Sequence, residues 1–382
     1  MTPSILVCIY GTLQILKQAM AARAAAEARA GAARMAAWRA HSYAADEAGA
    51  AAALRLDAAR RPVRRAPDEL LVRVHASSIN PIDLAMIRGY GSRVFNAWRA
   101  LEGSEGLEFP LTPGRDFVGT VVGAAPDAAL APGARVWGVL PPHRVGAHAE
   151  YVLAKSSWVS SAPENLDDLQ AGGALYGALT ACAALRVAGL APGGEGGKRV
   201  LVLGLGGVGH AAVQLLVRDR HHVVVSCASE QAEAARALGA EPLDRRQEDY
   251  ADRLQQAAPF DVVIDCAGQG GAGAAKLPCT FGAYVTLTSP LLRKTDANGL
   301  LPGTVAAAAD LIQQNLAVRD PVRWAFFSPR ADDIELLRRR AEREQFSVAV
   351  EQVWSWRDAG AAYARAAQGH ARGKLLLDFA AP

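Results

Sequence analysis

The chain has 382 residues, 51% of them hydrophobic, and a formal net charge of +3. That length exceeds the size at which single cores usually stop growing, so two domains are expected. The small charge, with arginines spread along the chain and not clustered with aromatics, argues against nucleic-acid binding. Five cysteines, at 8, 182, 227, 266 and 279, lack paired C-x-x-C spacing and point to a reducing compartment.

Residues 1–34 read as a leader. An apolar start (Ile5 to Ile9, Leu13, Ile15, Leu16) is followed by an Ala/Arg run from Ala19 to Arg39 that contains one acid. Arginines 23, 29, 34 and 39 on an alanine-rich helix resemble an acid-poor transit peptide, which points to mitochondrial import. The alternatives are a membrane-associated helix from Ser4 to Leu16, too short to span comfortably, or an alanine extension without an address. Beyond the leader, Leu70 to His75 alternates as a strand, and Phe117 to Val122 and Ala134 to Val139 read as further short strands between Gly/Pro turns. Residues 35–165 are therefore expected to form a β-rich domain.

From about Asp167, helices alternate with the apolar strands Val200 to Leu203, Val223 to Cys227, Asp261 to Cys266 and Tyr284 to Leu287. This is the pattern of a doubly wound parallel sheet over residues 166–325. Ser289 to Asp320 carries no assignable fold. In residues 326–382 a helix near Asp358 to Gln368 precedes a strand, Leu375 to Phe379, that is apolar on both faces. Such a strand returns to the β-rich domain or to the sheet edge.

The most informative stretch is Lys198-Arg-Val-Leu-Val-Leu followed by Gly204-Leu-Gly-Gly-Val-Gly209 and an apolar helical run. Gly204 suits the tight strand-to-helix turn, Gly206 lets backbone amides approach a pyrophosphate, and Gly209 lets the helix pack on the strand. Phosphate then sits at a positive helix terminus. About twenty residues on, where an acid would bind a ribose 2′-hydroxyl, stands Ser226. Ser226 and Ser229, with Arg236 or Arg245, favour the 2′-phosphate of NADPH over NADH. The alternative is that Ser226 merely ends its strand and Glu230 takes the hydroxyl.

Several local stretches then carry a family resemblance. Ala76-Ser-Ser-Ile-Asn80-Pro-Ile-Asp83, Arg88-Gly-Tyr-Gly91, Pro113-Gly-Arg-Asp116, Tyr176-Gly-Ala-Leu-Thr180-Ala181 and the glycine loop fall in an order similar to the quinone oxidoreductase branch of the medium-chain dehydrogenase/reductase superfamily. Arg323-Trp-Ala-Phe-Phe327 and Gly369-His-Ala-Arg-Gly-Lys374 resemble its mitochondrial reticulon-interacting group. The resemblance implies an α/β chain with a GroES-like β-rich domain and a Rossmann domain. It implies NADPH-dependent reduction of a quinone-like acceptor, linked to coenzyme Q (ubiquinone) biosynthesis, with a reticulon-type partner and a homodimer.

Zinc-dependent relatives hold a catalytic metal with Cys, His and Cys. This chain has Asn80, Arg115 and Tyr176 at those places, so no zinc is expected. By the same resemblance Asn80 and Thr180 border the nicotinamide, and Tyr90 or Tyr176 is the candidate proton donor. The alternatives are a turn role for Asn80 and a backbone-bonded Thr180, while Asp83 and Asp116 would pair with Arg88 and Arg115 to brace the cleft. Gly207 and Val208 are carried over to the pyrophosphate loop, and Gly268 and Leu287 to the sheet rim. Ala325 and Phe327 go to the nicotinamide side, and His370, Ala371 and Arg372 to the C-terminal loop. Arg372 and Lys374 offer positive charge for a phosphate. Histidines 221 and 222 are expected to be solvated. The competing classes are a 2-enoyl thioester reductase and a cofactor-binding regulator with little turnover.

Overall fold

The computed structural model describes residues 33–102, 108–318 and 320–381. Nearly all of the expected leader therefore lies outside the described residues. Arg34 and Arg39, which were expected on a helix, belong to a strand instead, β1 (Arg34–Ala40), in which Met35, Ala37 and Ala40 are buried. Tertiary pairing overrides the helical bias of the alanines here: β1 forms an antiparallel hairpin with β2 (Leu54–Arg60) in the register Ala37 opposite Asp57.

A seven-stranded sheet follows. It comprises β3 (Glu69–Ile79), β4 (Asp116–Gly123), β5 (Arg135–Val139), β6 (Tyr151–Lys155) and β7 (Val159–Ser161). The last two strands of the chain, β14 (Val350–Ser355) and β15 (Lys374–Asp378), complete it. The expected strand at 375–379 thus enters this β-rich sheet, pairing antiparallel with β3 so that Leu375 faces Ile79.

The second sheet has six parallel strands in the order β10-β9-β8-β11-β12-β13. They are β8 (Arg199–Leu203), β9 (His222–Cys227), β10 (Glu241–Asp244), β11 (Val262–Asp265), β12 (Tyr284–Thr286) and β13 (Val322–Trp324). The central strands are nearly continuous Val/Ile/Leu runs because helices cover both faces. Val200 to Leu203 and Val262 to Asp265 are all buried. Strand order reverses between β8 and β11, and ligands in such sheets bind beyond the carboxyl ends of the strands at that switch point. The segment Ser289 to Asp320, unassigned from sequence, contains two helices, Leu291–Asn298 and Leu300–Ala317.

One hydrophobic cluster joins the two sheets, running from Ala76, Val118 and Trp137 through the helix Leu175–Val187 to Val200, Val202 and Ile264. That continuity holds the end of β3 against the end of β8.

Behind β3 lies His148, wholly buried. Its Nε2 donates to the Ser78 carbonyl at 3.2 Å and its Nδ1 accepts from the Tyr363 hydroxyl at 3.0 Å, which defines the neutral ring. Burial, with help from the nearby Arg115 charge, holds its pKa down at about 3. An unfolded histidine takes up a proton below about pH 6.5, whereas this one does not until about pH 3. The unfolded state therefore binds more protons in that window, and stability falls with falling pH by roughly 1.4 kcal/mol per unit. Between pH 6.5 and 5, wild-type protein should lose about 2 kcal/mol more unfolding free energy than His148→Gln, measured by urea denaturation at each pH.

Candidate active site

Gly204 ends β8 with φ +89°, a left-handed turn that suits glycine. The helix Gly207–Arg218 begins three residues later. A Cβ on Gly209 would lie 2.0 Å from the Gly204 carbonyl oxygen, so only glycine lets the helix rest on the turn. A Cβ on Gly206 would meet nothing within 4 Å. The loop thus opens onto a cavity of about 680 Å³, lined here by Gly204, Gly206, Gly207 and Val208. The first N–H groups of such a helix lack intrahelical acceptors and suit an anion. These residues fit the pyrophosphate of a dinucleotide.

One end of the cavity is lined by Ala228, Glu230, Gln231, Arg245, Arg246 and Arg372. Glu230 is held by Arg246 at 2.9 Å. Among the described residues neither the Arg245 nor the Arg372 side chain has an ion-pair partner. Ser226 departs from expectation. It is buried beneath the cavity, where its hydroxyl accepts from Tyr250 at 2.8 Å, and Ser229 also stands outside the lining, with its hydroxyl on Asp244.

At the opposite end Asn80, Tyr176 and Lys374 line the cavity together. Asn80 sits at the end of β3, before the helix Pro81–Ile87, and is 3% exposed. Its Nδ2 donates to Ser78 Oγ and to Asp116 Oδ1, each at 3.1 Å, and its Oδ1 accepts from Lys374 Nζ at 2.6 Å. Both amide hydrogens are thereby engaged by protein. Asp116 also accepts from Ser78 Oγ at 2.6 Å and from the Tyr176 N–H at 3.1 Å, and lies 3.7 Å from Lys374 Nζ. Lys374 has three donors, and these contacts leave one directed elsewhere.

The expected bracing pairs are corrected in part. Asp83 pairs with Arg115 at 3.4 Å and accepts from the Asn80 and Gly114 N–H groups, whereas Asp116 faces Lys374 and Arg88 binds Glu47 at 2.6 Å. His221 is buried and accepts from the Lys198 N–H, while His222 is exposed.

The Tyr176 ring stacks on Phe327 with centroids 4.4 Å apart. Burial first, and the neighbouring Asp83 charge second, push its hydroxyl pKa far up, so it remains protonated. Tyr90 does not line the cavity, and burial raises its pKa as well. Thr180 bonds the Tyr176 carbonyl of its own helix at 2.7 Å. Gly268 follows β11 with φ +78°, in a turn whose N–H groups at Ala267, Gln269 and Gly270 are gathered by Asp265. Exposed Gly268, half-buried Leu287 and buried Ala325 lie outside the lining, which is formed here by Cys266 and Ala267. His370, with φ +53°, Ala371 and Arg372 do reach the cavity.

Sequence reasoning missed Gln231, Arg246, Cys266 and the pairing of Lys374 with Asn80. A lysine opening the buried run Lys374-Leu-Leu-Leu-Asp378 was the available signal, since buried lysines are rare unless paired.

Residues 66–164 match the alcohol dehydrogenase GroES-like domain, 238–377 match zinc-binding dehydrogenase, and 200–275 match the saccharopine dehydrogenase NADP binding domain. The mitochondrial protein NAD(P)H oxidoreductase RTN4IP1 of Drosophila melanogaster is 38% identical over 361 residues, covering 90% of this chain and 86% of its own length. The mitochondrial reticulon-4-interacting protein 1 of Caenorhabditis elegans is 33% identical, covering 83% and 90%. The chain belongs to the medium-chain dehydrogenase/reductase superfamily. Within that superfamily it groups with the reticulon-4-interacting protein 1 homologues. The fold of this superfamily member also matches the quinone oxidoreductase of Coxiella burnetii, with a TM-score of 0.73, 24% identity, and coverage of 91% of this chain and 99% of that one.

In Gly209→Ala the added methyl would overlap the Gly204 carbonyl. Nicotinamide nucleotide affinity, read by fluorescence titration, should fall about 100-fold or more, because the helix terminus must move away from the phosphates.

Proposed function

We propose that this chain is a mitochondrial, zinc-free, NADPH-dependent oxidoreductase that reduces a quinone-like acceptor and serves ubiquinone biosynthesis. The observation that carries the reading is Lys374. Its Nζ is fixed by Asn80 and Asp116 and lines the cavity. Bound in the glycine cradle, a nicotinamide nucleotide supplies the hydride. Lys374 Nζ donates its remaining hydrogen bond to the acceptor oxygen where negative charge develops, the placement at which preorganised donors contribute most. Asn80 and Asp116 are positioning residues for Lys374. The Tyr176 hydroxyl holds its proton as a second donor, and its ring, stacked on Phe327, excludes water beside the acceptor.

Arg245 and Arg372 support NADPH over NADH. They line one end of the cavity without ion-pair partners among the described residues, and a guanidinium pairs well with a phosphate. Glu230, the acid that would take a ribose 2′-hydroxyl, is instead held by Arg246. The zinc-free reading rests on the donor set. Asn80, Arg115 and Tyr176 offer no thiolate or imidazole, and a cation among them would meet Arg115 and Lys374. Mitochondrial address and a reticulon-type partner rest on the names of the fly and nematode relatives.

The deciding experiment is stopped-flow oxidation of NADPH bound to the full chain, with a short-chain ubiquinone analogue and crotonyl-CoA offered separately. Rapid oxidation by the quinone alone supports the proposal. Oxidation by the thioester alone makes the chain an enoyl reductase, and tight binding with neither makes it a regulator. If Lys374 acts as stated, Lys374→Met lowers kcat for the quinone about 100-fold. Arg245→Ala should raise the NADPH dissociation constant about tenfold while leaving NADH unchanged, as loss of a hydrogen bond to a charged group requires.

A further inference from the structure

A basic surface stands apart from the cavity, where the β1–β2 hairpin runs into β3. Residues 54–73 hold six arginines against three acids, a surplus equal to the net charge of the whole chain. Two of those acids are already engaged: Asp57 binds Arg39 at 3.5 Å, and Glu69 accepts from the Arg65 and Ala66 N–H groups at 2.6 and 3.0 Å. Strand pairing then sets cations side by side. Arg34 of β1 lies directly opposite Arg60 of β2, and Arg73 of β3 lies opposite Tyr151 of β6, whose ring carries the Arg61 guanidinium 3.9 Å above its centre. Arg34, Arg60, Arg65 and Arg73 are exposed, and among the described residues none of them, nor Arg61 or Arg64, has an ion-pair partner. Like charges directly opposite each other on a sheet destabilise it, and an anion between them removes that cost.

Apolar side chains lie among these cations. Leu56 shares the Arg60 side of β2 and is 44% exposed, and Val122 of β4, on the Arg73 side of the sheet, is 38% exposed. We propose that this surface docks the protein on an anionic phospholipid bilayer, with the arginines on lipid phosphates and Leu56 and Val122 at the level of the headgroups. A basic cluster of this size is attracted to an anionic leaflet, and the apolar contact adds the second signal that stable attachment takes. The outer side of a sheet and a hairpin offers a broad face, which suits a layer of phosphates more than a single one. Residues 1–32 enter the described chain at Ala33, whose carbonyl accepts from the Arg61 N–H at 2.9 Å, so the apolar run from Ile5 and the cations Arg23 and Arg29 are tethered to this surface. A nucleic acid fits less well. Single strands stack their bases on aromatic rings, and the Tyr151 ring is covered by Arg61. The docking rests on charge and not on the acceptor's identity, although it places the enzyme beside a quinone dissolved in lipid.

Flotation of the full chain with vesicles of phosphatidylcholine and cardiolipin tests the docking, with circular dichroism and NADPH binding as folding controls. Wild type should float at low salt, stay behind with phosphatidylcholine alone, and release as salt rises. Arg34→Gln/Arg60→Gln/Arg65→Gln should weaken vesicle binding about a hundredfold, whereas Arg34→Lys/Arg60→Lys/Arg65→Lys should keep it within about threefold, because charge is what binds. A wild type that does not float, or that floats equally with neutral vesicles, overturns the proposal. So does a Gln variant that binds like wild type, or a Lys variant that fails like the Gln one. Tighter binding to a single-stranded RNA than to the vesicles overturns it as well and makes the patch a nucleic-acid surface. Oxidation of bound NADPH by a water-soluble quinone should be equal in all three proteins, since none of these arginines lines the cavity. A failure to dock therefore leaves the oxidoreductase proposal standing.

Discussion

The antiparallel pairing of β15 with β3 is the constraint on which the site depends. By setting Leu375 opposite Ile79, it carries the next residue, Lys374, to the end of β3, where Asn80 turns into the helix Pro81–Ile87. Two buried carboxylates then meet two cations, Asp83 with Arg115 and Asp116 with Lys374. Removing one partner of such a pair leaves an uncompensated charge, typically at a cost of about 3–5 kcal/mol. Further hydrogen bonds brace the first pair: Arg115 donates to the carbonyls of Thr112, Pro141 and Arg144, and Asp83 accepts from two backbone N–H groups. Asp83, Arg115 and Asp116 are each tied to backbone groups, and Asn80 and Asp116 in turn hold Lys374, which makes the geometry around Lys374 stiff.

That stiffness matters because the cavity is built from both sheets. The parallel sheet supplies the glycine loop after β8 and the turn after β11, and the β-rich sheet supplies Asn80 and Lys374. The shared core running through Leu175–Val187 aligns the two contributions. Within that helix, the Tyr176 N–H bonds Asp116 of one sheet, while a Cβ on Gly177 would lie 3.3 Å from the Gly207 carbonyl of the other domain. A single helical turn thus touches the Asp116–Lys374 pair and the glycine loop at once. Small residues at this crossing are what permit the close approach.

Local pattern made much of this legible. Four of the six parallel strands, β8, β9, β11 and β12, announced themselves as apolar runs, whereas the short edge strands β10 and β13 did not, and the spacing of Gly204, Gly206 and Gly209 encoded turn, cradle and packing within six residues. What sequence hid is nonlocal. Lys374 lies 294 residues from Asn80, and their contact exists only once β15 has paired with β3. Arg34 and Arg39 misled because an alanine-rich run favours a helix until a partner strand is present. Asp116 was rightly suspected of a bracing role but given the wrong cation, because Arg88 projects toward Glu47 on a different element.

Ser226 shows how side-chain direction decides a site that position alone suggests. At the end of β9 the Ser226 hydroxyl turns to Tyr250, whereas Ala228, just past the last strand residue Cys227, lines the cavity. The polar contribution at this end shifts from a hydroxyl on β9 to guanidinium groups arriving from two separated segments, Arg245 just after β10 and Arg372 just before β15. A hydroxyl would donate one hydrogen bond to a phosphate. A guanidinium offers a paired fork and a permanent charge, which is why the proposed NADPH preference is placed on Arg245 and Arg372 and not on the serine, which is turned away.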